Sequence, residues 1–311
     1  MTRIILDCDP GHDDAMAILL AHGSPAIELA AITTVAGNHG LDLTTLDALR
    51  VCSLAGITGV PVAAGCAAPL LRPLVTAEEI HGQQGLEGYA WSEPTVRAVP
   101  DHGVDLIIDL VMASPGEITL VPTGPLTNIA VAMRKEPRIV ERVREVVMMG
   151  GAYGRGNVTP AAEFNTYVDP EAAEMVFQGD WRVTMIGLEV TQLALATEPV
   201  FTRIEALGTE VGRAVGGMLR FYREQQQREE GVVAPPVHDP CAVARIIDPE
   251  LVECREAYVR VALDSELTRG MTVTDFKRAP GRPPNALVGV DLQVQAFWDV
   301  FLDALTRIDG A

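Results

Sequence analysis

The sequence predicts an α/β fold: an open, mostly parallel, Rossmann-like sheet with helices on both faces. Three observations predict it: short apolar runs alternate with helix-forming segments, chemically reactive residues follow several of these runs, and 48% of the 311 residues are hydrophobic. Because ligands of such sheets bind beyond the carboxyl ends of the strands, we expect the active site there. No repeat or Gly/Ser-rich linker interrupts the chain, which favours one domain over residues 1–311.

The alternation assigns each element in order. Strands are predicted at residues 4–9, 27–35, 60–64, 118–122, 143–149 and 181–186, with added strands at 258–263 and 286–290. Helices are predicted at residues 13–22, 43–55, 126–135 and 170–177, with a closing helix at 294–308. The polar segment 221–231 is expected to be a solvated helix ending in a mobile loop near Gly231, and residues 278–285 a surface loop.

Composition limits the function classes. A formal net charge of −18 with 24 basic residues argues against a nucleic-acid partner and suits a small ligand or a divalent ion. The five cysteines are widely spaced with no CxxC pair, which indicates neither a zinc ribbon nor a disulfide framework. The amino terminus lacks a basic region followed by an apolar one, and no apolar stretch reaches membrane-spanning length. We therefore expect a soluble, cytoplasmic protein with no membrane partner.

The most informative segment is DCDPGHDD, residues 7–14, which places four carboxylates between a strand and a helix. Asp7 and Asp9 share one strand face because side chains alternate, and Asp13 and Asp14 begin the helix. Four negative charges in one turn repel each other unless a cation neutralises them. This predicts a metal site; the alternative is that Asp13 only caps the helix and the other carboxylates are solvated.

Two further segments lie at predicted element ends. In PTGPLTN, residues 122–128, Pro and Gly could hold a carbonyl away from the strand ladder for a hard cation, or the segment could be an ordinary loop. His238 and Asp239 precede an apolar helix. Taken alone, they are better explained as a surface histidine and an N-cap, but together they could supply a general acid and a metal ligand.

Residues 157–165 offer two amides and a carboxylate: Asn157, Asn165 and Glu163. This density suits hydrogen bonding to a polyol, although residues that form loop turns would look similar. No complete dinucleotide fingerprint and no Walker A sequence occurs, so phosphate binding is not supported.

Taken together, these segments resemble the inosine-uridine-preferring nucleoside hydrolases over nearly the whole chain. DCDPGHDDAMAIL is similar to the amino-terminal signature of that family. Further similar segments follow in the same order: VAGN (35–38), IHG (80–82), VPTGPLTNIA (121–130), MGGAYGRGN (149–157), AEFN (162–165), DPEAA (169–173) and HDPCAVA (238–244). The resemblance implies hydrolysis of the N-glycosidic bond of ribonucleosides to free base and ribose, with Ca²⁺ as cofactor and a homodimer or homotetramer as the assembly.

The resemblance also implies a role for each matching residue. Asp9 would be the general base that activates a calcium-bound water, and would bind the ion together with Asp14, Asp239 and the Thr123 carbonyl. The ribose would be held by Asp13, Asn38, Asn157, Glu163 and Asn165, with Met149 lining the pocket. His81 and His238 would face the nucleobase, with His238 as proton donor to the leaving group. Such bond cleavage builds positive charge on the sugar, which fixed carboxylates and amides stabilise.

Alternatives remain at the level of the base and of the class. His238 favours purine or mixed purine and pyrimidine nucleosides such as inosine and uridine, and a pyrimidine-specific enzyme is the second choice. Several relatives carry a base-stacking aromatic before HDP, but residues 224–237 contain none; Tyr222 lies upstream. A haloacid-dehalogenase-like phosphatase would need Asp7 as nucleophile and would leave Asp13 and Asp14 unexplained. A non-catalytic nucleoside-binding protein would not need Asp9 beside its co-ligands.

Overall fold

A single nine-stranded sheet runs through the described residues of the computed structural model, which are 1–229, 231, 233–279 and 281–310. Its strands are β1 (Thr2–Cys8), β2 (Ile27–Thr34), β3 (Val62–Ala64), β4 (Ile118–Pro122), β5 (Glu145–Met149), β6 (Val183–Ile186), β7 (Val252–Val261), β8 (Thr272–Asp275) and β9 (Ala286–Leu292). The order across the sheet is β3-β2-β1-β4-β5-β6-β9-β7-β8.

The first six strands and β9 are parallel, whereas β7 pairs antiparallel with β9 and β8. The chain moves from β1 outward to β3 and then returns to β4 on the other side of β1. This reversal opens a crevice at the carboxyl ends of β1 and β4, which is where open α/β sheets bind ligands. The predicted Rossmann-like, mostly parallel sheet is confirmed.

Helices connect the strands. They are α1 (His12–Gly23), α2 (Leu41–Leu54), α3 (Glu78–His81), α4 (Gly103–Ala113), α5 (Thr127–Lys135), α6 (Ile139–Arg142), α7 (Phe164–Val168), α8 (Pro170–Phe177), α9 (Leu188–Thr191), α10 (Glu198–Ala206), α11 (Glu210–Glu229), α12 (Pro240–Ile247) and α13 (Val294–Asp309). Among the helices described, none is long and apolar enough to cross a membrane.

Two apolar cores lie on opposite faces of the sheet. In β1, Ile4 and Leu6 point into the core that contains α1, α2 and α10–α13, whereas Ile5 points into the core that contains α4, α5 and α8. The alternation follows from the period of two in a strand. Because β1 is buried on both faces, its sequence contains a continuous apolar run, as expected for a parallel strand covered by helices.

Three expectations need correction. Helix α4 and strand β8 are additional, and β7 begins at Val252 rather than at Tyr258. The segment 221–231 is not fully solvated: it belongs mostly to α11, and Tyr222 and Gln226 are 3% and 5% exposed. The sequence also predicted a mobile loop near Gly231, and residues 230 and 232 of that loop lie outside the described residues.

Candidate active site

A cavity of about 310 Å³ lies at the carboxyl ends of the central strands. The strand register explains why distant motifs meet there: Asp7 in β1 pairs with Pro122 in β4, so Thr123 is the next residue beyond the sheet edge. The lining includes Asp13, Asn38, His81, Thr123, Met149, Asn157, Glu163, Asn165, His238 and Asp239. The two remaining predicted residues, Asp9 and Asp14, are fully buried and do not belong to that lining.

Asp9 is held between two glycines immediately after β1. A Cβ on Gly37 or on Gly124 would lie closer than 3.0 Å to the Asp9 carboxylate, so both positions leave room only for hydrogen. The main-chain N–H of Asn38 donates to Asp9 Oδ2 at 2.7 Å. The other oxygen of the Asp9 carboxylate, Oδ1, is buried and accepts no hydrogen bond from the described residues. One carboxylate oxygen is therefore fixed, and the other has no hydrogen-bond partner in the described part of the chain.

Asp14 is fixed by donors from three segments. Thr123 Oγ1 donates to Asp14 Oδ1 at 2.8 Å, the Gly11 N–H donates to Oδ2 at 3.0 Å, and Asn38 Nδ2 donates to Oδ2 at 3.3 Å. In the first turn of α1, a negative charge is also favoured by the helix dipole. Asp14 is therefore held with little freedom by groups from three parts of the chain.

Asp14 is one of three carboxylates that converge at this position. Oxygen atoms of Asp13, Asp14 and Asp239 all lie within 4.8 Å of one another, and all three residues are buried. Asp239 occupies the N-cap position of α12, yet its side chain makes no capping hydrogen bond. The interpretation of Asp239 as a simple cap is therefore wrong, and its carboxylate is directed to the acidic cluster.

Burial dominates the electrostatics of this cluster. It raises the pKa of Asp13 to about 7, with the Asp14 charge adding to the effect. Burial also raises the pKa of Asp9 and of Asp239 well above the ordinary aspartate value, and neighbouring carboxylates raise both further. Crowded buried carboxylates favour either protons or a bound cation.

Asp7 does not join the cluster. Its Oδ1 accepts from Thr33 Oγ1 at 2.6 Å and from Asn128 Nδ2 at 2.7 Å, and the residue is fully buried. Burial raises its pKa to about 7. A nucleophilic role for Asp7, which a haloacid-dehalogenase-like phosphatase would require, is incompatible with this environment.

Thr123 and Asn165 join the ends of β4 and β5. Asn165 Nδ2 donates to the Thr123 carbonyl at 2.7 Å and to the Met149 carbonyl at 3.3 Å. The Thr123 carbonyl retains a second lone pair, since a carbonyl oxygen has two. Asn165 thereby positions the two strand ends against each other as well as lining the cavity.

Glu163 and Asn157 organise the loop that precedes α7. The Glu163 carboxylate caps α7 and accepts from the main-chain N–H groups of Gly151 at 2.8 Å, Asn165 at 2.9 Å and Thr166 at 3.2 Å. Asn157 Oδ1 accepts from the Phe164 N–H at 3.0 Å, and Asn157 is exposed. Both residues line the cavity while also stabilising its wall.

The cavity is also lined by two members of a group of stacked rings, His81 and Tyr222. Tyr222 of α11 stacks on His81 of α3 with centroids 5.6 Å apart and planes at 14°, and on His12 at 5.6 Å and 9°. His12 contacts the His81 ring through their Nδ1 atoms at 3.1 Å. Burial, reinforced by His12 and other nearby histidines, lowers the pKa of His81 well below its usual range. Tyr222 therefore places an aromatic ring where residues 224–237 offer none.

His238 is buried and oriented by one contact. Its Nδ1 lies 2.7 Å from Thr191 Oγ1, and this is the one hydrogen bond of the Thr191 hydroxyl within the described ranges. Thr191 is fully buried, so its hydroxyl hydrogen has no better acceptor than Nδ1. Burial lowers the pKa of His238 to about 4. The neutral ring then carries its hydrogen on Nε2.

Gln226 is a cavity residue that the sequence interpretation missed. It is 5% exposed, lines the same cavity as Tyr222 and His238, and its Oε1 accepts no hydrogen bond from the part of the chain that is described. The signal was present in the helical period, because Met218, Tyr222 and Gln226 follow at intervals of four and thus share one face of α11. The run of polar residues around them obscured that face.

The acidic cluster meets the chemical requirements of a metal site. Asp9 has a buried oxygen without a hydrogen bond from the described residues, and three carboxylates converge within 4.8 Å. Thr123, which follows β4 directly, lines the same cavity and can add its carbonyl oxygen. All of these donors are oxygens, which suit a hard divalent cation better than zinc. The residues present therefore fit a bound metal ion.

The chain is similar to known proteins over nearly its whole length. A family model described as inosine-uridine preferring nucleoside hydrolase matches residues 4–299. The inosine-uridine preferring nucleoside hydrolase of Crithidia fasciculata is 51% identical over 98% of each chain, and the pyrimidine-specific ribonucleoside hydrolase RihB of Escherichia coli K12 is 45% identical over 95% of this chain and 94% of its own. The structure of a purine-preferring ribonucleoside hydrolase from Gardnerella vaginalis superposes with a TM-score of 0.93 at 33% identity, covering both chains fully.

Proposed function

The chain belongs to the inosine-uridine preferring nucleoside hydrolase family, and we propose that it hydrolyses ribonucleosides in this cavity with Asp9 as general base and calcium as cofactor. Hydrolysis of ribonucleosides to free base and ribose follows from the family. The observation that carries the finer assignment is the unused, buried Oδ1 of Asp9 beside the convergent carboxylates of Asp13, Asp14 and Asp239. We also propose one domain over residues 1–311 and a cytoplasmic location from the sequence patterns, and a homodimer or homotetramer from the resemblance alone.

At the sugar end, we assign a task to each fixed group. Asp9, Asp14, Asp239 and the Thr123 carbonyl would hold the cation, which when bound orients the ribose hydroxyls and makes water more acidic. Asp9 accepts the proton of the attacking water, since its second oxygen is already held by Asn38. Asp13, Asn38 and Asn165 accept or donate hydrogen bonds to the sugar. Their negative and dipolar groups stabilise the positive charge that develops on the ribose ring.

At the base end, His238 assists departure of the base. Burial lowers the pKa of His238 to about 4, so the neutral ring, with Nδ1 held by Thr191, would donate a hydrogen bond from its Nε2–H to the leaving base and stabilise the charge that develops there. His81 and Tyr222 form a stacked aromatic wall on which a planar base can rest. His238 thus acts on the leaving group while Asp9 acts on water, which divides the reaction between the two ends of the cavity.

Gln226 supports the mixed inosine and uridine preference. A carboxamide presents one acceptor and one donor side by side, and uracil and hypoxanthine both carry a C=O next to an N–H. Its Oε1 is desolvated and unused by the described chain, so a matching N–H on the base would satisfy it. We therefore assign Gln226 to the lactam edge shared by uridine and inosine.

The primary experiment measures ribose release from inosine and uridine in phosphate-free buffer. We expect reducing sugar to form without phosphate, to be lost after dialysis against a chelator, and to return with Ca²⁺ but not with Zn²⁺. A strict phosphate requirement would identify a phosphorylase instead. Full activity after exhaustive chelation would contradict the assignment of calcium.

A second assay tests Gln226 with uridine, inosine, cytidine and adenosine. Gln226→Ala should lower kcat/KM for uridine and inosine by about tenfold or more, because a buried carbonyl or N–H of the base loses its partner. Gln226→Glu is the matched control, since it keeps the shape but removes the donor. Equal losses on all four nucleosides would remove Gln226 from base recognition.

A further inference from the structure

Helix α11, whose Tyr222 and Gln226 line the cavity, touches the loop after α3 through glycine. Gly88 lies in the loop after α3, and Gly217 lies within α11. A Cβ on Gly217 would lie closer than 3.0 Å to the Gly88 carbonyl oxygen, and a Cβ on Gly88 would lie equally close to the Gly217 carbonyl oxygen. Ordinary contact is 3.4–4 Å, so the two backbones approach more closely than any side chain would allow. Gly88 also has φ +98°, which favours glycine.

This contact lies next to the ring stack. Phe221, one helical turn after Gly217, lies against Gly88 and stacks on His12 with centroids 5.4 Å apart. The next residue along α11 is Tyr222, which stacks on His81. The loop is tied to the same rings, because His12 Nε2 donates to the Glu87 carbonyl at 2.8 Å. The separation of α11 from the loop and the separation of Tyr222 from His81 are therefore set by the same packing.

We propose that the Gly88–Gly217 backbone contact sets the width of the base end of the cavity, which makes Gly217 a specificity-determining position for the size of the base. The inference rests on the proposed function only in placing the base beside Tyr222 and Gln226. A methyl group at Gly217 forces α11 and the loop apart by roughly 1 Å, because packed backbone cannot interpenetrate. A wider cavity holds a small pyrimidine less firmly than a purine.

The experiment compares Gly217→Ala with Gly216→Ala, its neighbour in the same helix. A Cβ on Gly216 meets only Arg220 and Ile204, both at 3.8 Å, so this control adds the same methyl group without a close contact. We expect Gly217→Ala to lower the ratio of kcat/KM for uridine to that for inosine by about three- to tenfold, mainly through KM. Gly216→Ala should leave the ratio unchanged.

An unchanged uridine-to-inosine ratio in folded Gly217→Ala overturns the inference. Should that variant fail to fold, Tyr89→Phe tests the same coupling without added volume, because it removes the hydrogen bond from Tyr89 to Glu210 at the start of α11. A smaller fall in the ratio supports the inference, and no change overturns it. Failure of the proposed function is distinguishable, since wild-type protein would then release no ribose from either nucleoside.

Discussion

The parts of the cavity that we assign to the sugar and to the base, its sugar end and its base end, are built in different ways. The sugar end comes from strand ends and the turns directly after them: Asp9 follows β1, Asn38 follows β2 and Thr123 follows β4, and main-chain groups hold much of it. The base end comes from α3 and α11, which are far apart in sequence, and it is held by ring stacking and by a glycine contact. Sheet register fixes the first end, whereas helix packing fixes the second.

The difference suggests why similar chains can share chemistry and differ in base. The three relatives compared above are named for inosine-uridine, pyrimidine and purine preference, although each matches nearly the whole chain. A small shift of α11 changes the base end without moving any strand end. The following predictions test whether the two ends are separable in this way.

The largest effect is expected at the sugar end. Asp9→Asn keeps the size of the side chain but removes the negative charge and the proton acceptor, so turnover should fall by about 10³-fold or more. The loss should be the same for uridine, inosine and nitrophenyl riboside, because the attacking water is common to all of them. Circular dichroism should show an unchanged fold. Retention of near-normal activity, or a loss confined to one base, would contradict the role of Asp9.

An intermediate effect is expected at the base end, and it should depend on the leaving group. His238→Ala should lower turnover of inosine and uridine by about 10²-fold, but should have little effect on nitrophenyl riboside, which departs without a proton. Thr191→Val should reproduce part of this pattern, about tenfold, because it removes the hydroxyl that holds Nδ1. Thr191→Ser restores the hydroxyl and should restore activity. Equal losses on activated and natural substrates would exclude His238 from assisting the leaving group.

The smallest effect concerns stability. Burial raises the pKa of Asp7 and of Asp13 to about 7, whereas unfolded aspartate titrates at about 4. Between these values the unfolded chain has released protons that the folded chain keeps, so the stability of calcium-free protein falls as pH rises from about 4 to about 7, and stays low above it.

Calcium bound by Asp9, Asp14 and Asp239 would stabilise the charged form of the neighbouring Asp13 but not that of Asp7, which lies outside the cluster. Added calcium should therefore raise Tm by several degrees at pH 8 and by less at pH 5. Asp7→Asn is the control: it should flatten part of the pH dependence and leave the calcium effect intact. A Tm of chelated protein that increases from pH 5 to pH 8 would contradict this account.

Several elements were predictable and others were not, for identifiable reasons. β4 and α8 have the predicted bounds, because Pro and Gly or Asp-Pro mark their ends. Helix α4 was missed because its run of apolar residues does not distinguish helix from strand. β8 is a short, partly exposed strand next to β7, with too few residues to show a period. The roles assigned to individual site residues remain predictions, as do calcium and the oligomeric state.

By itself the sequence determined the strand-turn-helix segments that carry Asp9, Asp14 and Thr123 and the loop-helix junction that carries Asp239, because charge, turn residues and apolar period are all local properties. It also determined that the carboxyl ends of these parallel strands must meet. Only the tertiary structure decided that Asp7 lies outside the acidic cluster, where Asn128 donates a hydrogen bond to it. It likewise decided that Tyr222 and Gln226 line the cavity. Those outcomes depend on how helices pack over the sheet, and packing distances are set by contacts between residues far apart in the chain.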